Sequence, residues 1–149
     1  MKEYQSQIRN CKIGKDVIIV HPVNLYECEI GDGTFIGPFV EIQTGARIGK
    51  NCRISSHSFI CEGVLIKDDC FIGHGVMFIN DKKPKANNKD WVLSLTTIFE
   101  NSAIGSNATI LPVSIGPNAM IGAGAVVTKN VLPGNTVVGN PAKTLRRKK

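Results

Sequence analysis

The chain has 149 residues, 42% of them hydrophobic, which fits a single domain, 1–149, with a buried core. No apolar run approaches the about 18 residues of a helical membrane span and MKEYQSQIRNCKIGKD has no apolar export region, so we expect a cytoplasmic protein with no membrane insertion. The net charge of +6 lies at one end: residues 1–100 hold 12 basic and 12 acidic side chains, residues 101–149 hold 6 basic and none acidic. A basic end suits the phosphates of a small ligand, nucleic acid or an anionic surface, and charge alone does not choose among them. Five cysteines, with no CxxC pair, argue against a disulfide framework or a zinc knuckle.

In chain order, a six-residue beat opens at Ile13, Ile19 and Leu25. It then runs through isoleucines 30, 36, 42, 48, 54, 60, 66 and 72 to Phe78. Small or modest apolar residues fall four positions later, among them Val40, Ala46, Cys52, Val64 and Cys70, and glycine often follows the large residue. A period of six is neither the helical 3.6 nor a plain alternation; it suits short strands separated by corners. β-branched residues in every repeat, punctuated by Gly and Asn, exclude helix for most of the chain. The beat fails in NDKKPKANNKDWVLSLTT, read as an external loop over about residues 80–97 standing in for three hexads. Loops this long inside compact domains are uncommon and often functional. The beat resumes at Ile98, Ile104 and Ile110, slips by one residue, and continues at Ile115, Ile121 and Val127.

This pattern resembles the hexapeptide-repeat acyltransferase family over nearly the whole chain. The resemblance implies an all-β fold, a left-handed parallel β-helix in which three hexads close one triangular coil of about eighteen residues. Stacked coils lie about 4.8 Å apart, so residues 18 apart become vertical neighbours. It also implies a homotrimer with active sites at the subunit seams.

The C-terminal coils and tail, about 104–149, resemble the CoA-binding end of that family through the run Gly139-Asn140-Pro141-Ala142-Lys143 after a Gly-Ala-rich coil. Gly122, Ala123 and Gly124 lack bulky side chains, so a pantetheine arm of acetyl-CoA can approach their main chain. Asn140 belongs to the same run. Lys129, Lys143, Arg146 and Arg147 are the expected partners of the CoA phosphates. The plainer alternative is that small residues ease coil stacking and the tail is a solvated basic run.

The segment SSHSFICEGVLIKDDCFIGHGVMFIND resembles nucleotide-linked amino-sugar N-acetyltransferases, especially those acting on 3-amino sugars of bacterial surface polysaccharides. The resemblance places acceptor-amine contacts at Glu62 and Asn80, which are 18 apart and therefore expected on one corner. Glu62 accepts a hydrogen bond or a proton from the amine; Asn80 orients the amine through its oxygen or assists the oxyanion through its NH₂. Asp81 is a candidate for a sugar hydroxyl, and Trp91 for stacking on the nucleobase or packing the loop. His57 and His74, 17 apart, are candidate general bases. The expected partners are thus acetyl-CoA and a UDP- or dTDP-linked amino sugar, with no metal.

Three rival readings stay open at this point. One is a hexapeptide acyltransferase with a different acceptor. Another is a zinc carbonic-anhydrase-like protein, which needs three converging histidines where the chain has only His21, His57 and His74. The third is a scaffold or nucleic-acid binder, disfavoured because aromatics make up 6% and none follows Phe99.

Overall fold

The computed structural model describes residues 7–145. The first coil comprises β1 (Ile8–Arg9), β2 (Lys12–Ile13) and β3 (Ile18–Ile19), the second β4 (Asn24–Tyr26), β5 (Glu29–Ile30) and β6 (Phe35–Ile36). The third holds β7 (Glu41–Ile42), β8 (Arg47–Ile48) and β9 (Arg53–Ile54), the fourth β10 (Phe59–Ile60), β11 (Val64–Ile66) and β12 (Phe71–Ile72). The fifth holds β13 (Met77–Phe78), β14 (Thr96–Ile98) and β15 (Ala103–Ile104), the sixth β16 (Thr109–Ile110), β17 (Ser114–Ile115) and β18 (Met120–Ile121). Then come β19 (Val126–Val127), β20 (Thr136–Val138) and β21 (Lys143–Thr144). Through β19 each strand pairs in parallel with the one three before it; with β20 added beside β18 and β21 antiparallel to β20, the three sheets hold seven, six and eight strands and form the faces of a triangular prism. This is the left-handed β-helix expected from the repeat.

The strands are short because only two residues per hexad lie flat before the chain turns. The isoleucine of each strand points inward: Ile36, Ile42, Ile54, Ile60, Ile66, Ile72, Ile98, Ile104 and Ile110 are all fully buried. The residues four positions on, Val40, Ala46, Cys52, Val64, Cys70 and Val76, complete the core. Corners recur every six residues in the left-handed conformation, as at Asn51, Asp69, Asn101 and Asn107, or at Gly33, Gly45 and Gly75. That requirement is the physical origin of the Gly and Asn punctuation. Phe39 and His57 hold the same conformation, with φ of +61° and +62°, although their bulk disfavours it.

Two departures from an even coil shape the site. Ile13 pairs with Ile30 and Ile98 with Ile115, so a coil near each end is one residue shorter than the regular turn from Ile30 to Ile48. Ile66 pairs directly with Ile98, across the whole irregular segment. That segment is therefore an insertion into a single coil, with β14 starting at Thr96, rather than a replacement of three hexads. The loop returns over Gly63, where φ is +85° and an added Cβ would stand 3.0 Å from Leu93 Cδ1. At the far end β21 pairs antiparallel with β20, and the Ala142 N–H donates to Val126 O at 2.8 Å.

Candidate active site

Residues 61–63 turn the corner between β10 and β11, and the loop departs from the same corner one coil higher. Asn80 Nδ2 donates to the main-chain oxygen of Glu62 at 3.1 Å, and the Ser94 N–H donates to Asn80 O at 3.2 Å. Asn80 thus ties both ends of the loop to the coil below. A carbonyl only accepts, so this bond fixes the amide orientation: Nδ2 is spent on Glu62 O and Oδ1 remains an acceptor without a partner among the described residues. Glu62 and Asn80 are half-buried vertical neighbours, as their spacing predicts. The Asn80 amide, however, meets the Glu62 main chain rather than its carboxylate.

Asp81 Oδ1 accepts from the Lys83 N–H at 2.8 Å, a local turn at the loop entrance that leaves its second oxygen available. Trp91 is 39% exposed, Val92 78% and Leu95 68%, so this flank of the loop presents apolar surface outward. Trp91 makes no ring stack among the described aromatic contacts.

The histidines stand on a different edge of the prism. His57 and His74 occupy the corners before β10 and β13, whereas Glu62 and Asn80 lie after those strands. Phe59 and Met77, in register on the outer face, lie between them. Within one chain the two pairs are not brought together. His74 Nδ1 lies 2.8 Å from Ser56 Oγ, and the His74 N–H donates to Ser106 Oγ at 3.1 Å. His57 instead stacks on Phe39, ring centroids 4.8 Å apart and planes 27° from parallel. That contact offsets part of the cost of two bulky residues at left-handed corners.

The edge that carries His74 continues upward to the Gly-Ala-rich coil. Main-chain bonds run from Gly75 N to Ser56 O, Asn107 N to His74 O and Gly124 N to Ser106 O. Ser56, His74, Ser106 and Ala123 therefore form one column, with Gly122 and Gly124 on either side of Ala123. An added Cβ at Gly105 would stand 2.5 Å from Ala123 N, so close coil contact requires the glycine there. Val137 pairs with Ile121, so Gly139 follows Ala123 in this column. A cleft of 330 Å³ at the C-terminal end is lined by Thr128, Lys129, Asn130, Pro141, Ala142 and Lys143, and Lys129, two residues after Val127, stands on the edge of Glu62 and Asn80 instead. Lys129, Asn140 and Lys143 are exposed around this end. Arg146 and Arg147 lie outside the described residues.

The register places His21 in the column of Ser56 and His74, three coils below His74 and so about 14 Å away. Among the described residues no three His, Cys, Asp or Glu side chains are grouped as metal ligands. Sequence reasoning missed Ser56, Ser94, Ser106 and Gly63. Ser56 was accessible in principle, because it precedes His74 by one regular coil.

The description "Bacterial transferase hexapeptide (six repeats)" matches residues 27–62, and "Hexapeptide repeat of succinyl-transferase" matches residues 96–129. The chain is 32% identical, over 95% of its length, to the bifunctional protein GlmU of Synechococcus sp. (strain CC9311). It spans about a third of that relative (33%). A hexapeptide-repeat-containing acetyltransferase of Vibrio cholerae, solved with acetyl coenzyme A, superposes with a TM-score of 0.70 at 26% identity, covering 80% of this chain and 70% of that one. AntD, an N-acyltransferase of Bacillus cereus solved as a point mutant with dTDP and coenzyme A, gives 0.82 at 20% identity, covering 93% and 84%; at that identity the likeness is one of fold. By its repeats and its prism, the chain belongs to the hexapeptide-repeat acyltransferase family.

Proposed function

We propose that the protein is an acetyl-CoA-dependent N-acetyltransferase whose acceptor is the amino group of a UDP- or dTDP-linked sugar, a 3-amino sugar of the kind used in bacterial surface polysaccharides. The observation that carries this reading is the anchored Asn80 amide beside Glu62. With Nδ2 held by a main-chain carbonyl, Oδ1 is a fixed acceptor for an amine N–H. That favours the orienting role for Asn80 over the oxyanion role. The Glu62 carboxylate, one coil below, takes a second amine proton by hydrogen bond or transfer. The neutral nitrogen attacks the thioester carbonyl, the oxyanion collapses, the C–S bond breaks, and the departing thiolate takes up the proton the amine releases.

The acyl donor runs along the edge of Ser106, Ala123 and Gly124, where small residues admit the pantetheine arm; at the C-terminal end its phosphates meet Lys143 and, from the Asn80 edge that faces it across the seam, Lys129. Support for acetyl-CoA and a nucleotide-linked acceptor comes from the neighbours, one solved with acetyl coenzyme A and one with dTDP and coenzyme A. The protein acts as a homotrimer in the cytoplasm, one subunit's His74 edge facing the neighbour's Glu62 and Asn80 edge. Two observations favour that assembly. A single chain holds the two sets of side chains apart, and the outer face of the eight-stranded sheet exposes Ile18 (59%), Phe71 (43%) and Met120 (53%).

The test is a panel of UDP- and dTDP-linked amino sugars, with hydroxyl counterparts, incubated with acetyl-CoA while free CoA thiol and product mass are followed. Thiol release matched by an N-acetylated amino sugar is expected. Release with hydroxyl acceptors alone, or with no sugar of the panel, contradicts the reading.

A further inference from the structure

The inward columns hold two vertically stacked cysteine pairs, and one of them reaches the surface. Cys11 directly precedes β2 and Cys28 directly precedes β5, and the in-register pairs Lys12 with Glu29 and Ile13 with Ile30 set one cysteine over the other. The Cys28 thiol lies 3.5 Å from Cys11 Sγ. Adjacent parallel strands are about 4.8 Å apart, inside the roughly 4.4–6.8 Å between Cα atoms that a disulfide spans. Closing the bond therefore needs side-chain rotation rather than movement of the coils. Cys28 is buried while Cys11 is half-exposed, so an attacking reagent meets Cys11 first. The second pair, Cys52 and Cys70, is buried on both sides, and its thiols donate to main-chain oxygens, Cys52 to Lys67 O and Cys70 to Phe99 O, each at 3.1 Å.

We propose that Cys11 and Cys28 form a thiol-oxidation site that reacts with disulfides of the glutathione class and closes into a Cys11–Cys28 bond stapling the first coil to the second. This inference is independent of the acetyl-transfer reading. In the first step the Cys11 thiolate attacks glutathione disulfide, forming a Cys11–glutathione mixed disulfide and releasing one glutathione thiolate, which is protonated. In the second, Cys28 loses its proton to solvent and attacks Cys11 Sγ, expelling the second glutathione. Two protein thiols are oxidised and one glutathione disulfide is reduced to two thiols. Burial, with the neighbouring Cys11 sulfur adding to it, pushes the Cys28 thiol up to about 12, so the second step is the slower one. The staple acts on the first coil, where Ile13 of the inward column is 40% exposed while its neighbour Ile30 one coil higher is buried.

The experiment treats the full chain with glutathione disulfide and follows intact mass, cysteine-peptide mapping and amide hydrogen exchange. For the wild type we expect a transient single-glutathione adduct, then a product lighter by two hydrogens with Cys11 linked to Cys28. Exchange in residues 12–19 should slow about tenfold or more. Cys28→Ala should stop at a stable adduct on Cys11, and Cys11→Ala should not react. The alanine is compatible with the fold, because Ala46 is buried at the same inward position one coil higher. A wild-type adduct that persists on Cys11, oxidation of Cys52 or Cys70 first, or no reaction overturns the proposal.

Discussion

Asn80 donates from Nδ2 to the main-chain oxygen of Glu62 across 3.1 Å, linking two consecutive coils of one prism edge where the inserted loop begins. One side chain therefore shapes the loop mouth and leaves its amide oxygen as an acceptor without a partner among the described residues. Both roles depend on the loop being seated, and Gly63 seats it.

Replacing Gly63 with Ala introduces a Cβ at φ +85° and 3.0 Å from Leu93 Cδ1, so strain and displacement act together. A left-handed non-glycine costs about 1–2 kcal/mol. The urea midpoint should fall by the corresponding amount, and limited proteolysis should cut faster within residues 82–90. An unchanged midpoint and cleavage rate would mean the loop does not rest on this corner.

His74 is hydrogen-bonded to Ser56 Oγ at 2.8 Å, whereas the His57 ring is committed to Phe39. If His74 moves the proton, His74→Ala should lose roughly 10²- to 10⁴-fold in kcat. Ser56→Ala, which removes one orienting bond of about 1 kcal/mol, should lose about fivefold. His57→Ala should then alter stability more than turnover. Wild-type turnover in His74→Ala would assign that ring to the corner alone.

Thr96 packs inward in the column of Val64 and Val113, and its buried hydroxyl finds no hydrogen-bond partner among the described residues. Thr96→Val keeps the shape and removes an unsatisfied polar atom, so we expect a gain of about 1 kcal/mol by urea unfolding. Destabilisation would show that the hydroxyl is satisfied in solution.

Lys129 and Lys143 border the C-terminal cleft. Alanine at both should raise the KM for acetyl-CoA severalfold, leave kcat near wild type and flatten the salt dependence of KM, because phosphate contacts persist unchanged from ground to transition state. Truncation is informative only after Leu145. A cut after Gly139 would also remove β21 and the Ala142 bond to Val126, mixing stability with binding. An unchanged KM in the double variant would remove the CoA phosphates from this end.

Much of the fold was legible because burial repeats: isoleucine every sixth residue is what a two-residue strand and a corner demand, and Gly or Asn recurs where the corner turns left-handed. The Glu62 and Asn80 column was legible for the same reason. The shorter coil from Ile98 to Ile115 was legible as well, because the beat slips by one residue between Ile110 and Ile115. The coil that carries the loop was not, since an inserted segment interrupts the beat and Ile66 pairs directly with Ile98. Spacing also did not show that His57 and His74 stand across a face from Glu62. It assigns a residue to a column, while the distance between columns follows from the closed prism. Nor does it report side-chain rotation, which turned the Asn80 amide onto a main-chain carbonyl and His74 onto Ser56.

The most direct test of the acceptor corner is kcat/KM for the amino sugar in Asn80→Ala and Glu62→Ala at saturating acetyl-CoA. Both side chains lie outside the core, so unfolding midpoints should move little, although Asn80→Ala also releases the loop mouth. We predict a loss confined to the sugar: about fivefold for Glu62→Ala if the carboxylate only orients the amine, or roughly 10²- to 10⁴-fold if it takes the proton. The KM for acetyl-CoA should be unchanged in each. Wild-type kcat/KM in both variants would contradict the account and move the acceptor to another edge of the prism.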